Sequence, residues 1–224
     1  MERHIVYALP GLGADRRMFA LQLQLDYDFR FVDWIPPVKG ETMNAYAKRY
    51  SQLLDTSKPF SILGVSLGGM MCMEVAKFVN ADQVILVSSC KTANELPGQL
   101  RGLRKVKLHK LINARILKQM IKLFSNNIGD LKGELKHLFN HMVENSDPDF
   151  MMWAADAIIN WNKTEVPDNV VHIHGTKDKV LPYELVNADY TIQNGSHYMI
   201  GTRVEEVNKV LDQVLRKKTV LIND

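Results

Sequence analysis

Short apolar runs of strand length, separated by stretches long enough for a helix, constrain this chain more than any other feature. Ile5-Val6-Tyr7-Ala8-Leu9 is the first; Phe29 to Asp33, Phe60 to Val65, Val84 to Val87, Val170 to Ile173 and Tyr190 to Gln193 follow. Several are apolar throughout, as expected of parallel strands covered on both faces. Thr42 is placed to N-cap a helix reaching about Asp55, Gly68 opens another through about Val79, and Val204 to Lys217 reads as a closing helix. This alternation implies an α/β fold: a doubly wound, mostly parallel six-stranded sheet with right-handed crossovers.

One stretch breaks the rhythm. From Thr92 to Glu165 only helical patterning is present, far longer than a strand-to-strand crossover. Between Arg101 and Phe124, Leu103, Val106, Ala114, Leu117, Ile121 and Phe124 share one side. Arg104, Lys107, Arg115, Lys118 and Lys122 share the other. A turn at Asn126-Asn127-Ile128-Gly129 leads to a second helix ending near Glu144. Ser146-Asp147-Pro148 starts a third, through about Asn160. The expected organisation is a core of residues 1–91 and 166–224 with an α-helical cap, 92–165, inserted into it.

At 224 residues, with 46% hydrophobic and 24% charged content, the chain suits one folded domain and not a disordered one. No apolar run is long enough to span a bilayer, and the N-terminus passes directly into a strand-like run, so a cytoplasmic location is expected. Cys72 and Cys90 lie in apolar surroundings and are expected as buried free thiols. The net charge of +3 is unevenly divided. Between Lys91 and Ser125, nine Lys or Arg face Glu95 alone, a net +8 that leaves the remainder acidic.

Gly64-Val65-Ser66-Leu67-Gly68 falls where the third run ends and a helix begins. A serine on so sharp a turn has a strained backbone, and side chains two residues away on either side would collide; glycine removes the collision. The helix start then directs N–H groups at the reacting centre. A serine hydroxyl needs a positioned base. His197, in Asn194-Gly195-Ser196-His197, lies just beyond the last strand, at the carboxyl edge where open α/β sheets bind ligands. Asp178, after the Val170 run, is placed to accept the imidazole N–H and fix its tautomer. Asp189 begins a strand and is less suitable. Pro10-Gly11-Leu12-Gly13 follows the first strand, so the N–H groups of Leu12 and Leu67 are the expected oxyanion donors. This loop lacks the third glycine of a dinucleotide fingerprint and the Gly-Lys-Ser/Thr of a P-loop. His172 and His174 share one strand face, but no carboxylate or cysteine cluster accompanies them as a metal would require. His109, His137 and His141 read as solvated helix residues.

Oxyanion loop, Ser, Asp and His occur in the order shared by the α/β-hydrolase superfamily, and the chain resembles it over nearly its whole length. The likeness is strongest at Gly64 to Gly69, Gly175 to Asp178 and Gly195 to His197. It implies attack by Ser66 on a carbonyl, an acyl-enzyme, proton transfer through His197, and no cofactor or metal. Two departures stand out. Pro10 occupies a place where many members have histidine, and the chain begins at the strand that usually comes third, so the leading hairpin is missing.

The expected partner is a small-molecule acyl substrate, a carboxylic ester or thioester. Met151, Met152, Trp153, Ile158 and Trp161, with Met18 and Met199, are pocket candidates, though helical spacing equally suits packing. The same triad serves acyl transfer and C–C bond hydrolysis. A non-enzymatic alternative is a hydrolase-like fold binding a ligand or an anionic surface, membrane or acidic carrier, through the basic cap. Nucleic acid is not expected, because the basic stretch has little aromatic interleaving and no reading motif.

Overall fold

The structure, a computed structural model, describes residues 3–106, 112–123, 128–129 and 131–221. Six strands form one sheet: β1 (Ile5–Leu9), β2 (Asp28–Arg30), β3 (Phe60–Val65), β4 (Val84–Val87), β5 (Val170–Gly175) and β6 (Tyr190–Ile192). Their order is β2-β1-β3-β4-β5-β6, and every neighbouring pair is parallel. Strand period explains the apolar runs. Ile5, Tyr7, Leu9, Phe60, Ile62, Val84 and Leu86 enter one core layer, whereas Val6, Ala8, Leu63, Val65, Ile85, Val87 and Ile173 enter the other.

Helices α1 (Met43–Ser51) and α2 (Leu67–Val75) pack on the first layer, and the closing helix α8 (Val204–Leu221) on the second. Thr42 caps α1 as expected, its hydroxyl accepting the Ala45 N–H at 3.2 Å. All nine residues of α2 are buried. Among the described residues, the longer helices between β4 and β5 are α3 (Gly98–Val106), α4 (Ala114–Leu123), α5 (Gly133–Asn145) and α6 (Pro148–Asn160). A short α7 (Met199–Thr202) follows β6.

Two expectations need correction. Strand β2 ends at Arg30, not near Asp33, because this edge segment exchanges its ladder for side-chain bonds: Tyr50 donates to the Val32 carbonyl at 2.6 Å and Tyr46 to that of Ile35 at 2.9 Å. The single stretch expected from Arg101 to Phe124 is two helices. Asn113 caps the second, its Oδ1 accepting the Ile116 N–H at 3.0 Å, the cap role in which Asn outcompetes helix continuation. The six-stranded parallel sheet itself is as expected, every neighbouring pair being parallel. Lys107, His109, Phe124 and the Asn126-Asn127 turn lie outside the described residues.

The chain entering the helices between β4 and β5 meets the chain leaving them where the Ala93 N–H bonds the Lys163 carbonyl at 2.8 Å. Beside it, the buried Glu74 of α2 accepts from Trp161 Nε1 and Asn44 Nδ2, each at 2.8 Å, and from Lys77 Nζ at 2.5 Å. Burial works to raise its pKa, but these donors and the Lys77 charge hold it below the ordinary carboxylate value. Glu74 therefore ties the end of α6 to α2. Replacing it by leucine strands the Trp161 and Asn44 donors, and urea unfolding should register a loss of about 3 kcal/mol.

Candidate active site

Ser66 has φ 54° and ψ −118°, a conformation an L-residue adopts only when its surroundings enforce it. Its N–H bonds the Val87 carbonyl at 3.1 Å, and its own carbonyl accepts from the N–H groups of Gly69 and Met70 and from Ser89 Oγ at 2.6 Å. The flanking glycines do what the sequence implied. A Cβ on Gly64 would lie 2.2 Å from the Gly68 carbonyl oxygen, and one on Gly68 would lie 2.0 Å from that of Leu9.

The three expected side chains meet at the carboxyl edge of the sheet. His197 Nε2 lies 3.0 Å from Ser66 Oγ, and His197 Nδ1 lies 2.8 Å from Asp178 Oδ2. The supporting loops are close because Gly175 lets them be: a Cβ there would sit 2.2 Å from the Gly195 carbonyl oxygen. The Lys177 N–H bonds that same oxygen at 2.8 Å, and the Asn194 N–H bonds Thr176 Oγ1 at 2.9 Å. From the inserted segment, the Ile128 carbonyl accepts the Tyr198 N–H at 2.8 Å, directly after the histidine.

Asp178 is buried, and its Oδ1 accepts the N–H groups of Val180 and Leu181 at 2.8 and 2.9 Å. Burial pushes its pKa up, but the charge and hydrogen bond of His197, the Leu181 N–H and His174 reverse this, leaving it below the usual aspartate value. An ionised carboxylate opposite Nδ1 requires the proton on that nitrogen, which leaves Nε2 free to accept the Ser66 proton. Asp189 is used elsewhere, accepting the His172 N–H at 2.8 Å and pairing with Lys91 at 2.8 Å.

The loop bearing Leu12 adjoins the elbow: a Cβ on Gly11 would be 3.4 Å from Ser66 Cβ. Leu67 is the first residue of α2, so its N–H has no carbonyl one turn back. The Leu12 N–H has no protein acceptor among the described residues. Beyond this loop, a cavity of about 330 Å³ opens between Gly13 and Ala14, the Asp33–Pro36 loop, and Met142 and Phe150 of α5 and α6. None of the seven expected pocket residues lines it. Trp153 instead stacks on Tyr46 at 4.2 Å between ring centroids, and Met151, Trp161, Met18 and Met199 are buried packing. The sequence reading missed Trp34 and Phe150, which stack at 5.1 Å; the former stands just beyond the run taken for a strand, Phe29 to Asp33.

His172 and His174 are fully buried. His172 Nε2 lies 3.0 Å from His174 Nδ1, and His174 Nε2 lies 2.8 Å from the Leu181 carbonyl and 3.4 Å from Asp178 Oδ2. Among the described residues, no three His, Cys, Asp or Glu side chains gather as a metal site requires. Cys72 and Cys90 are buried free thiols. His141 and His137 are exposed; the former meets Arg17 at 3.1 Å.

No family model matches the chain, and no curated protein matches it in sequence. Solved structures do. The structure of MenH from S. aureus superposes with a TM-score of 0.74 at 15% identity, covering 98% of this chain and 96% of that one. A thermophilic esterase from Thermogutta terrifontis gives 0.69 at 17% identity, over 96% and 90% of the two chains. A meta-cleavage product hydrolase from Pseudomonas fluorescens gives 0.69 at 14%, over 97% and 92%. At such identities the likeness is one of fold: the chain has the α/β-hydrolase fold.

Burial depresses the pKa of His172 to about 3, chiefly through desolvation and then through His174 and Lys91. Below the unfolded value of about 6.5, the unfolded chain binds a proton that the folded chain refuses, so stability is complete above that pH and falls with acidification. Urea unfolding at pH 5 should give about 2 kcal/mol less stability from this residue than at pH 7.5, and His172→Gln should flatten the slope accordingly.

Proposed function

We propose that the chain is a serine hydrolase that cleaves a small carboxylic ester or thioester through an acyl-enzyme on Ser66. The observation that carries the reading is the unbroken hydrogen-bonded line from Ser66 Oγ through His197 to the ionised Asp178.

The reaction follows from that line. As Ser66 Oγ attacks the carbonyl carbon, its proton passes to His197 Nε2. The resulting imidazolium is stabilised by Asp178, which stays ionised. Charge develops on the carbonyl oxygen, and we assign its stabilisation to the N–H groups of Leu12 and Leu67; removing one such donor raises the barrier by about 3 kcal/mol. Collapse of the tetrahedral adduct breaks the bond to the leaving alcohol or thiol, which takes the proton from Nε2. Water then enters, gives a proton to Nε2 and attacks the acyl carbon. The departing Ser66 oxygen recovers that proton, and the acid is released.

We read residues 92–165 as a cap over this edge. The cavity between the Gly13 loop and α5 and α6 is then the space for part of the substrate, bounded by the Trp34 and Phe150 rings. The alternative in which the cationic side of the cap docks an anionic surface loses support from two of its members. Lys118 Nζ caps α5 through the Glu144 and Ser146 carbonyls at 2.7 and 2.6 Å, and Lys122 pairs with Glu144. No helix among the described residues is long and apolar enough to cross a membrane.

A chain-length series of chromogenic acyl esters and thioesters tests the proposal. The native protein should turn over short members, and Ser66→Ala should lose roughly four orders of magnitude or more in kcat. A fluorophosphonate should label Ser66 alone. Equal rates for both proteins, or labelling elsewhere, would overturn the assignment. Product appearing as a new ester with an added alcohol, and not as free acid, would move the reading to acyl transfer.

A further inference from the structure

We propose that His174 is a positioning residue for Asp178, and that His172 holds it in the tautomer this role requires. The inference rests on the reading of Asp178 as the partner of His197. It concerns two buried histidines that the triad itself does not use.

Proton accounting carries the argument. His174 Nε2 faces two groups that only accept, the Leu181 carbonyl at 2.8 Å and Asp178 Oδ2 at 3.4 Å, so this nitrogen bears the hydrogen. Burial keeps the His174 ring neutral, so its Nδ1 is a bare acceptor. The group 3.0 Å from that acceptor is His172 Nε2, which must therefore donate. His172 Nδ1 is left bare; it is buried and makes no hydrogen bond of normal geometry among the described residues, with the Ser89 backbone the nearby polar group that acts on the ring. Each ring thus has a single tautomer compatible with its surroundings. Had His174 carried its hydrogen on Nδ1, three lone-pair-bearing atoms would face one another at Asp178.

The consequence is geometric. Leu181 donates its N–H to Asp178 Oδ1 while its carbonyl accepts from His174, so the 178–181 turn is clamped from both sides. Oδ2 is hydrogen-bonded to His197 Nδ1, and the His174 ring, held by its bond to the Leu181 carbonyl, lies with Nε2 3.4 Å from that oxygen, which sets the carboxylate plane before His197 becomes charged. The backbone of His172 is anchored in turn, since its N–H bonds Asp189, which pairs with Lys91. Around this pair the other titratable groups are Cys90, on which Glu95 and Asp178 act, Lys91, which acts on His172, and Tyr183, whose ring centre lies 6.4 Å from that of His174.

Losing the His174 N–H, whose dipole lies beside Oδ2 and whose hydrogen bond holds the Leu181 carbonyl, leaves Asp178 a stronger partner for the His197 imidazolium. The acid limb of kcat/KM should then move to higher pH while the carboxylate plane loosens. The test compares His174→Met, of similar bulk without a donor, with His174→Gln, whose amide nitrogen reaches toward the same place. Both are assayed on the chromogenic ester from pH 4.5 to 9, and the low-field proton resonance of the Asp178–His197 hydrogen bond is recorded in the full-length protein. In the Met variant we expect kcat down about tenfold or more with KM within about twofold, the acid limb displaced upward and the resonance shifted. The Gln variant should recover most of each. A Met variant with lowered kcat but an unmoved limb and resonance would make His174 a packing residue and overturn the proposal. A Gln variant as impaired as Met would overturn it too. If the native protein turns over no ester, the hydrolase reading fails, and the resonance in the two variants still decides this one.

Discussion

The approach of helix α2 to strand β1 is the contact on which the rest of the carboxyl edge depends. Gly68 comes so near the Leu9 carbonyl that no side chain fits between them, and that closeness bends the chain at Ser66 into its positive-φ conformation. The strain is held by burial of the whole of α2 and by the bonds that Val87 and Ser89 make to the Ser66 backbone. With the elbow in place, the Leu12 loop lies against one side of it and His197 against the other.

Two buried carboxylates show the same solution to one electrostatic problem. A charged carboxylate taken from water is costly unless several donors replace the solvent. Glu74 is surrounded by Asn44, Lys77 and Trp161, and Asp178 by two backbone N–H groups and His197. Each sits where separate segments meet: Glu74 where the inserted helices rejoin the core, and Asp178 where the loops after β5 and β6 converge. The donors that keep the charge also fix the geometry, so electrostatics and positioning are not separable here.

Much of this was legible in sequence for particular physical reasons. Strands β1, β3 and β4 are buried on both faces, so their runs are apolar but for Ser61 and Gly64 of β3 and their ends are sharp. The elbow glycines and the turn positions of Asp178 and His197 follow from steric and topological demands that local sequence must meet. Where side chains from afar supply the bonds, the reading slipped. Tyr46 and Tyr50 draw residues 32–35 out of the edge strand, Asn113 divides a continuous amphipathic pattern, and Trp34 reaches the cavity wall from a loop. Period-2 spacing placed His172 and His174 on one face but could not say that a carbonyl and a carboxylate faced them.

The sequence by itself determined the alternation that makes a parallel sheet, the turn that exposes Ser66, and the order of the three polar residues along the chain. These are local properties, set by backbone sterics and by the period at which apolar side chains recur. Only the tertiary structure decided that Ser66, His197 and Asp178 fall within hydrogen-bond distance, and that Lys118 and Lys122 cap and pair within the inserted helices. It alone decided, too, which tautomers the buried histidines adopt. Those outcomes depend on which acceptors a distant segment brings to each donor, and packing alone specifies that.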